Sequence, residues 1–173
     1  NLYRGCSHGC VYCYAPNVTH STKEIFHNEP EVRKNAMRQF EKDCIKLAGD
    51  PRPVLLSFTT DCYQQLDETE RLTRRAIQLL HANNLKVSIL TKGGKRYERD
   101  FDLLVAHPEL RSYGATLTFG MEAGSREFEP NAAPTSERIA ALKQAHEMGI
   151  HTWVSLEPVW TPANTRVLIQ RTH

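Results

Sequence analysis

Four apolar runs, VLLSFTT (54–60), KVSILT (86–91), ATLTFG (115–120) and HTWVSLEPV (151–159), recur along the chain with amphipathic stretches between them. Strands joined through helices cannot pair as hairpins, so the alternation predicts a parallel sheet with right-handed crossovers and helices on its outer face. Whether that sheet curves as a partial barrel or lies open and doubly wound, the pattern leaves undecided. With 173 residues the chain is long enough for one α/β domain and short for a complete eight-unit barrel.

The helices are read from periodicity and punctuation. Glu29 to Ala48 places Val32, Ala36, Met37, Phe40, Cys44 and Leu47 on one face, with Pro30 in the first turn. Asp67 to Asn83 follows, with Asp67 as N-cap and Glu70 completing a capping box. KGGKRYERD reads as a turn before a helix around Phe101 to Ala106, Thr135 to Met148 is a helix ended by Gly149, and a last helix begins near Pro162. In such folds the loops after the strands build the site. Here they are TTDCYQQ, TKGGKR, GMEAGS and EPVW.

Composition narrows the class. A hydrophobic share of 40% and a charged share of 24% suit a globular domain, and no apolar run approaches the length of a bilayer span. A net charge of +2 does not by itself point to nucleic acid. Five cysteines without a secretory signal suggest a reducing, cytoplasmic setting, where grouped cysteines bind metal or do catalysis. Asn1 in place of an initiator Met leads us to expect a single core domain over 1–173, cut from a longer protein.

The cysteines Cys6, Cys10 and Cys13 stand in YRGCSHGCVYCYA, and three thiols cannot pair among themselves. They suit zinc with a fourth ligand, for which His8 is a candidate in a tightly folded loop, or three irons of a four-iron cluster with one iron left open. Gly5 and Gly9 suit a loop wrapped closely around a bulky core.

The C-x3-C-x2-C spacing with an aromatic, Tyr12, before the last cysteine resembles the signature of the radical S-adenosylmethionine (SAM) superfamily. CVYCY, TTDCYQ, LTK and FEPNAAPTSERIAAL are similar to segments of its spore photoproduct lyase-like branch, from Asn1 to about Val159. The resemblance implies an α/β fold, a partial TIM-like barrel of parallel strands. It also implies a 4Fe-4S cluster whose open iron binds the amino and carboxylate groups of S-adenosyl-L-methionine. One electron then cleaves the sulfonium to methionine and a 5'-deoxyadenosyl radical, which abstracts hydrogen from a substrate.

Position by position, the resemblance implies Cys6, Cys10 and Cys13 as cluster ligands and Tyr12 as the aromatic near the adenine. Thr60, Lys92 and Thr118 fall on polar cofactor-holding positions, and Asp61 and Glu122 are neighbouring strand-end polar groups. Phe58 stands where that branch carries a hydrogen-donating cysteine, so thymine-dimer repair is not implied. Cys62 is the candidate replacement, and Tyr63 and Tyr14 are candidate relays. Only Asn1 to Arg4 remain before the cysteine loop, so the first barrel strand is expected to be absent or supplied from elsewhere.

Blander roles compete with each of these. Cys44 sits on an apolar helix face and reads as a core residue; Cys62 and the tyrosines also fit packing. Lys92 could be a solvated turn lysine, Glu157 a solvated carboxylate rather than an amine or proton acceptor, and KGGKR a solvated loop rather than a phosphate contact. The expected function is a radical SAM enzyme acting on an unknown substrate, with nucleic acid as a candidate, and fed by a reducing donor such as a flavodoxin or ferredoxin. The alternatives are a cluster-bearing electron-transfer or regulatory module that does not cleave SAM, and a zinc-stabilised nucleic-acid-binding module. The last leaves the four strand-end loops unexplained.

Overall fold

The computed structural model describes the chain from Asn1 to His173. Two short strands, β1 (Tyr3–Arg4) and β2 (Glu31–Val32), pair antiparallel near its start. β3 (Val54–Leu56), β4 (Val87–Thr91), β5 (Arg111–Thr116) and β6 (His151–Ser155) form a parallel sheet in that spatial order. Spatial order thus follows chain order without reversal. A doubly wound sheet reverses at a switch point, whereas a barrel section winds one way, so the open alternative is removed.

The helices are α1 (Ala15–Val18), α2 (Lys23–Asn28), α3 (Ala36–Lys46), α4 (Asp67–Glu70), α5 (Leu72–Ala82), α6 (Phe101–Ala106), α7 (Glu122–Phe128), α8 (Thr135–Glu147) and α9 (Pro162–Thr172). α5 buries Ala76, Ile77 and Leu80, and α8 buries Arg138, Ala141, Leu142 and Ala145, each a single helical stripe. These stripes join Val87, Ile89, Tyr113 and Ala115 of the central strands in one core. Tyr97 stacks on Tyr113 with ring centroids 3.8 Å apart. Gly114 lies under the indole of Trp153 on the next strand, where a Cβ would come within 2.4 Å of the ring.

Several expected boundaries move, each for a tertiary reason. The helix from Glu29 begins only at Ala36, after Asn35 takes a left-handed φ of 61°. Glu31 and Val32 pair instead with Arg4 and Tyr3, so Pro30 leads into a strand. The helix from Asp67 breaks at Arg71, also left-handed, and no capping box forms. The fully buried Asp67 carboxylate accepts from Tyr3, from Arg99 and, at 3.0 Å, from the Thr73 amide, serving the start of α5 rather than its own turn.

VLLSFTT is a short edge strand with Leu55 exposed, not a buried one. Its ladder stops at Leu56, because Ser57 turns left-handed (φ 75°) and the amides of Phe58 and Thr59 bond the Asn1 side-chain carbonyl at 2.9 and 3.0 Å. ATLTFG is likewise displaced: β5 begins four residues earlier, at Arg111. That arginine hid the strand from the pattern, yet its guanidinium is satisfied by the carbonyls of Leu104 and Gly149 at the base of the sheet. HTWVSLEPV leaves the ladder after Ser155, and the turn-like GKRYERD is a 3-10 helix over Gly94–Asp100. Cys44 is buried in the core, as its helical phase indicated.

Candidate functional site

The cysteine loop is built by its neighbours. Gly5 has φ 79°, and a Cβ there would lie 2.6 Å from the Phe26 carbonyl. The Cys6 amide donates to that same carbonyl at 2.9 Å. Gln64, fully buried, spans Cys6: its carbonyl accepts from the Ser7 amide at 3.0 Å and its amide donates to the Gly5 carbonyl at 3.2 Å. On the other side, the Asn131 amide donates to the His8 carbonyl at 3.1 Å, and the Val11 amide donates to Phe128 at 2.9 Å. The loop is therefore fixed from both flanks, by the buried Gln64 side chain on one and by backbone bonds to residues 128–131 on the other.

Cys6, Cys10 and Cys13 line one cavity of about 360 Å³, together with Tyr12, Thr60, Asp61, Lys92 and Glu157. These groups come from the loop and from the segments following β3, β4 and β6, the expected end of the sheet. Burial pushes the Cys10 thiol up to about 11, with Lys92 pulling it down and Glu129 pushing it further. Burial raises Cys6 still more, helped by the Asp61 carboxylate, and raises Cys13.

Asp61 has partners on every side. Its Oδ1 accepts from the Tyr63 amide at 2.8 Å and the Thr91 hydroxyl at 2.6 Å, and its Oδ2 accepts from the Lys92 amide at 2.7 Å. His8, buried inside the C-x3-C spacing, brings Nε2 to 3.1 Å from Oδ2. Burial opposes the charge, yet His8 and these hydrogen bonds hold the carboxyl below the usual carboxylate range.

Tyr12 closes another wall. Its hydroxyl donates to the buried Glu129 and stands 3.0 Å from Thr118 Oγ1. The Thr118 hydroxyl in turn donates to the Glu157 carbonyl at 2.9 Å. Lys92 Nζ lies 5.7 Å from the Tyr12 ring centroid and forms no ion pair. Phe119 and Trp160 pack with that ring and Phe128 packs with both of them, so an aromatic cluster flanks the cavity.

The structure brings together Cys6, Cys10, Cys13, Tyr12, Thr60, Asp61 and Lys92. Thr118 stands behind Tyr12. Glu122 does not reach the cavity, because its carboxylate accepts the amides of Thr135 and Ser136 at the start of α8. Cys62 and Tyr63 also lie off the cavity, fully buried in the main core, where Tyr63 donates to Asp100 at 3.0 Å. Phe58 lines the rim and is 73% exposed; Tyr14 donates to its carbonyl at 3.1 Å.

Sequence reasoning passed over Glu129 and Arg138, and gave His8 weight only as a zinc ligand. Arg138 carried a usable signal: it shares the helical stripe of Ala141, Leu142 and Ala145, where an arginine is buried only if paired. Glu129 lies nine residues upstream in a loop, a separation no period connects.

The donor set fits a cluster held by sulfur. Three cysteine thiols line one cavity, the number of sulfur ligands that leaves a four-iron cluster one open iron. Thiolate is the soft ligand that iron-sulfur clusters take, and thiols raised by burial become ligands when a positively charged core compensates them.

Comparison with known proteins agrees with this fold. The solved structure of spore photoproduct lyase complexed with dinucleoside spore photoproduct superposes with a TM-score of 0.74 at 18% identity, covering 98% of this chain and 48% of that one. A variant of that lyase with bound AdoMet and dinucleoside spore photoproduct gives 0.71 at 17% identity, over 98% and 59%. At these identities the likeness is one of fold. Among curated sequences, an uncharacterized protein of Mycobacterium tuberculosis is 28% identical over 166 residues, 92% of this chain and 48% of its own. One of Methanocaldococcus jannaschii is 27% identical over 169 residues, 92% and 59%. The chain thus spans about half the length of the curated relatives it matches. The model of the radical SAM superfamily matches residues 1–164, and the chain belongs to that superfamily.

Proposed function

We propose that this chain is the core domain of a radical SAM enzyme, in which Cys6, Cys10 and Cys13 hold a 4Fe-4S cluster and the adjoining cavity takes S-adenosyl-L-methionine. That pair, when bound, supplies one-electron cleavage of a sulfonium and a radical that takes hydrogen from a substrate. The observation that carries the reading is that three thiols and strand-end polar groups line one cavity.

Each side chain then has a distinct task. Cys6, Cys10 and Cys13 would supply the cluster's sulfur ligands from the cavity lining. Lys92, without a carboxylate partner, is free to meet an anionic group of the ligand, and Glu157 is placed to meet a cationic one. Thr60 offers a hydroxyl from the β3 loop. Asp61 braces rather than binds, since three protein donors hold its oxygens and His8 Nε2 lies beside them. Thr118 and Tyr12 form a wall, Glu122 stays with α8, and Cys62 and Tyr63 belong to the packing of the core. Phe58, exposed at the rim, is placed to meet substrate.

No helix is long and apolar enough to cross a membrane. The reductant is a small donor such as a flavodoxin or ferredoxin. Nucleic acid is the first substrate to try, because the similar lyase was solved with a dinucleoside.

The test is anaerobic reconstitution with iron and sulfide, reduction with dithionite in the presence of SAM, and chromatography for 5'-deoxyadenosine, with Cys10→Ala alongside. Formation by the parent and loss in the variant are expected. An intact SAM beside an assembled cluster would favour an electron-transfer or regulatory module instead.

A further inference from the structure

The turn from Cys10 to Cys13 is tied to a buried ion pair that the assignments above leave without a role. Arg138 and Glu129 are both wholly buried, and Arg138 Nη2 donates to Glu129 Oε2 at 2.7 Å. The remaining Arg138 donors reach the carbonyls of Ala133 at 2.7 Å and Thr116 at 3.1 Å, and Ser125 Oγ lies 3.3 Å from the same Glu129 oxygen. A buried pair is poor value for stability alone, since apolar residues of similar volume often serve as well or better. What the pair adds is the second carboxylate oxygen, which accepts the Tyr12 hydroxyl.

Apart from that bond and the Thr118 contact, the Tyr12 ring is held by the Lys92 ammonium 5.7 Å from its centroid and by tilted aromatic neighbours at 6.4 and 6.5 Å, one of them the half-exposed Trp160. Such contacts restrain a ring weakly. The segment carrying Glu129 also holds the loop by its backbone: Phe128 accepts from Val11, and Asn131 donates to His8. Residues 128–131 therefore clamp the cysteine loop at several points, with Tyr12 the only side chain of the turn bonded to a buried charge.

We propose that Glu129, oriented by Arg138, is a positioning residue that acts through the Tyr12 hydroxyl to fix the Cys10–Cys13 turn and the cavity wall beside it. This rests on the reading of the cavity as a cluster and SAM site, and extends it to residues outside the cavity.

The experiment compares the reconstituted parent protein with Tyr12→Phe, Glu129→Gln and the double variant. It records iron per chain, the electron paramagnetic resonance signal of the reduced cluster without and with SAM, SAM affinity and the thermal midpoint. Tyr12→Phe keeps the ion pair, so it is expected to fold as the parent does while shifting the cluster signal and weakening SAM about fivefold or more. Glu129→Gln is expected to shift the signal in the same way, and the double variant to be no worse than the stronger single, because both remove one coupling.

A Glu129→Gln protein of lower midpoint but parental cluster signal and SAM affinity would reduce the pair to a fold element and overturn the proposal. So would additive effects in the double variant, or a silent Tyr12→Phe. If Glu129→Gln does not fold, Tyr12→Phe decides alone. If the parent binds cluster but no SAM, the SAM reading fails, while a shared shift of the cluster signal still upholds the positioning role. If no cluster assembles, alkylation of Cys10 in the cluster-free protein, mapped by mass spectrometry, decides: faster modification in both single variants is expected, and unchanged rates would overturn it.

Discussion

His8 Nε2 lies 3.1 Å from Asp61 Oδ2, joining the cysteine loop to the end of the first parallel strand. Because Asp61 also accepts from Thr91 and the Lys92 amide, one buried carboxylate ties together the loop, β3 and β4. Asp61→Asn replaces two acceptor oxygens by one and sets an NH2 against a donor. A buried group left facing the wrong partner costs about 1–3 kcal/mol, more for a charge-assisted contact. The variant is expected to lose about 2–4 kcal/mol in urea unfolding and to take up less iron on reconstitution. Parental stability and iron content would show that the brace is dispensable.

Two glycines separate backbone strain from collision. Gly5 and Gly49 have φ of 79° and 78°, but a Cβ at Gly5 meets the Phe26 carbonyl at 2.6 Å, whereas one at Gly49 meets nothing within 4 Å. Gly49→Ala is expected to cost about 1 kcal/mol, the left-handed penalty alone. Gly5→Ala is expected to cost about 2–4 kcal/mol and to impair cluster assembly, since relief of the clash moves Cys6. Equal losses by chemical denaturation would refute this account of the loop.

Cys62 is buried in the main core, where its carbonyl accepts the Thr73 hydroxyl at 2.6 Å. The thiol faces packing rather than the cavity, so Cys62→Ala is expected to lower stability by about 1–2 kcal/mol through lost contacts while 5'-deoxyadenosine yield per cluster stays at the parental level. A yield reduced tenfold at full cluster occupancy would return Cys62 to the chemistry.

At the opposite end of the sheet, His81 packs its ring 4.5 Å from that of His107, beside Glu109 and Arg111. Burial, with His107 adding to it, lowers His81 from 6.5 to about 4. Between those values the unfolded chain binds a proton that the folded chain does not, so stability rises with pH across this window. The protein is expected to be more stable at pH 7 than at pH 5, by on the order of 1–2 kcal/mol from this group. His81→Phe should flatten that part of the pH profile of urea midpoints; an unchanged slope would mean other groups set it.

The cysteine spacing and the alternation of strand and helix were legible because each is local. A C-x3-C-x2-C loop is contiguous, and core-facing residues repeat at the period of their own element. Cys6, Cys10, Cys13, Thr60 and Lys92 therefore reach one cavity as their positions in the sequence suggested. The start of β5 was hidden because Arg111 breaks the apolar pattern, and only its bonds to Leu104 and Gly149 make it tolerable there. Glu122, Cys62 and Tyr63 look like site residues from their place after strands, yet the path of the chain turns them onto α8 and into the core.

What the sequence determined by itself was the class of the fold, the thiol loop and the end of the sheet where chemistry would gather, all consequences of short-range order. The one-way winding of the sheet and the use of Asp61 as a brace were decided only in three dimensions. So was the hold of Glu129 and Arg138 on Tyr12. The physical reason is that a buried charge must find its partner wherever the fold brings one, and Glu129 lies 117 residues from the hydroxyl it accepts.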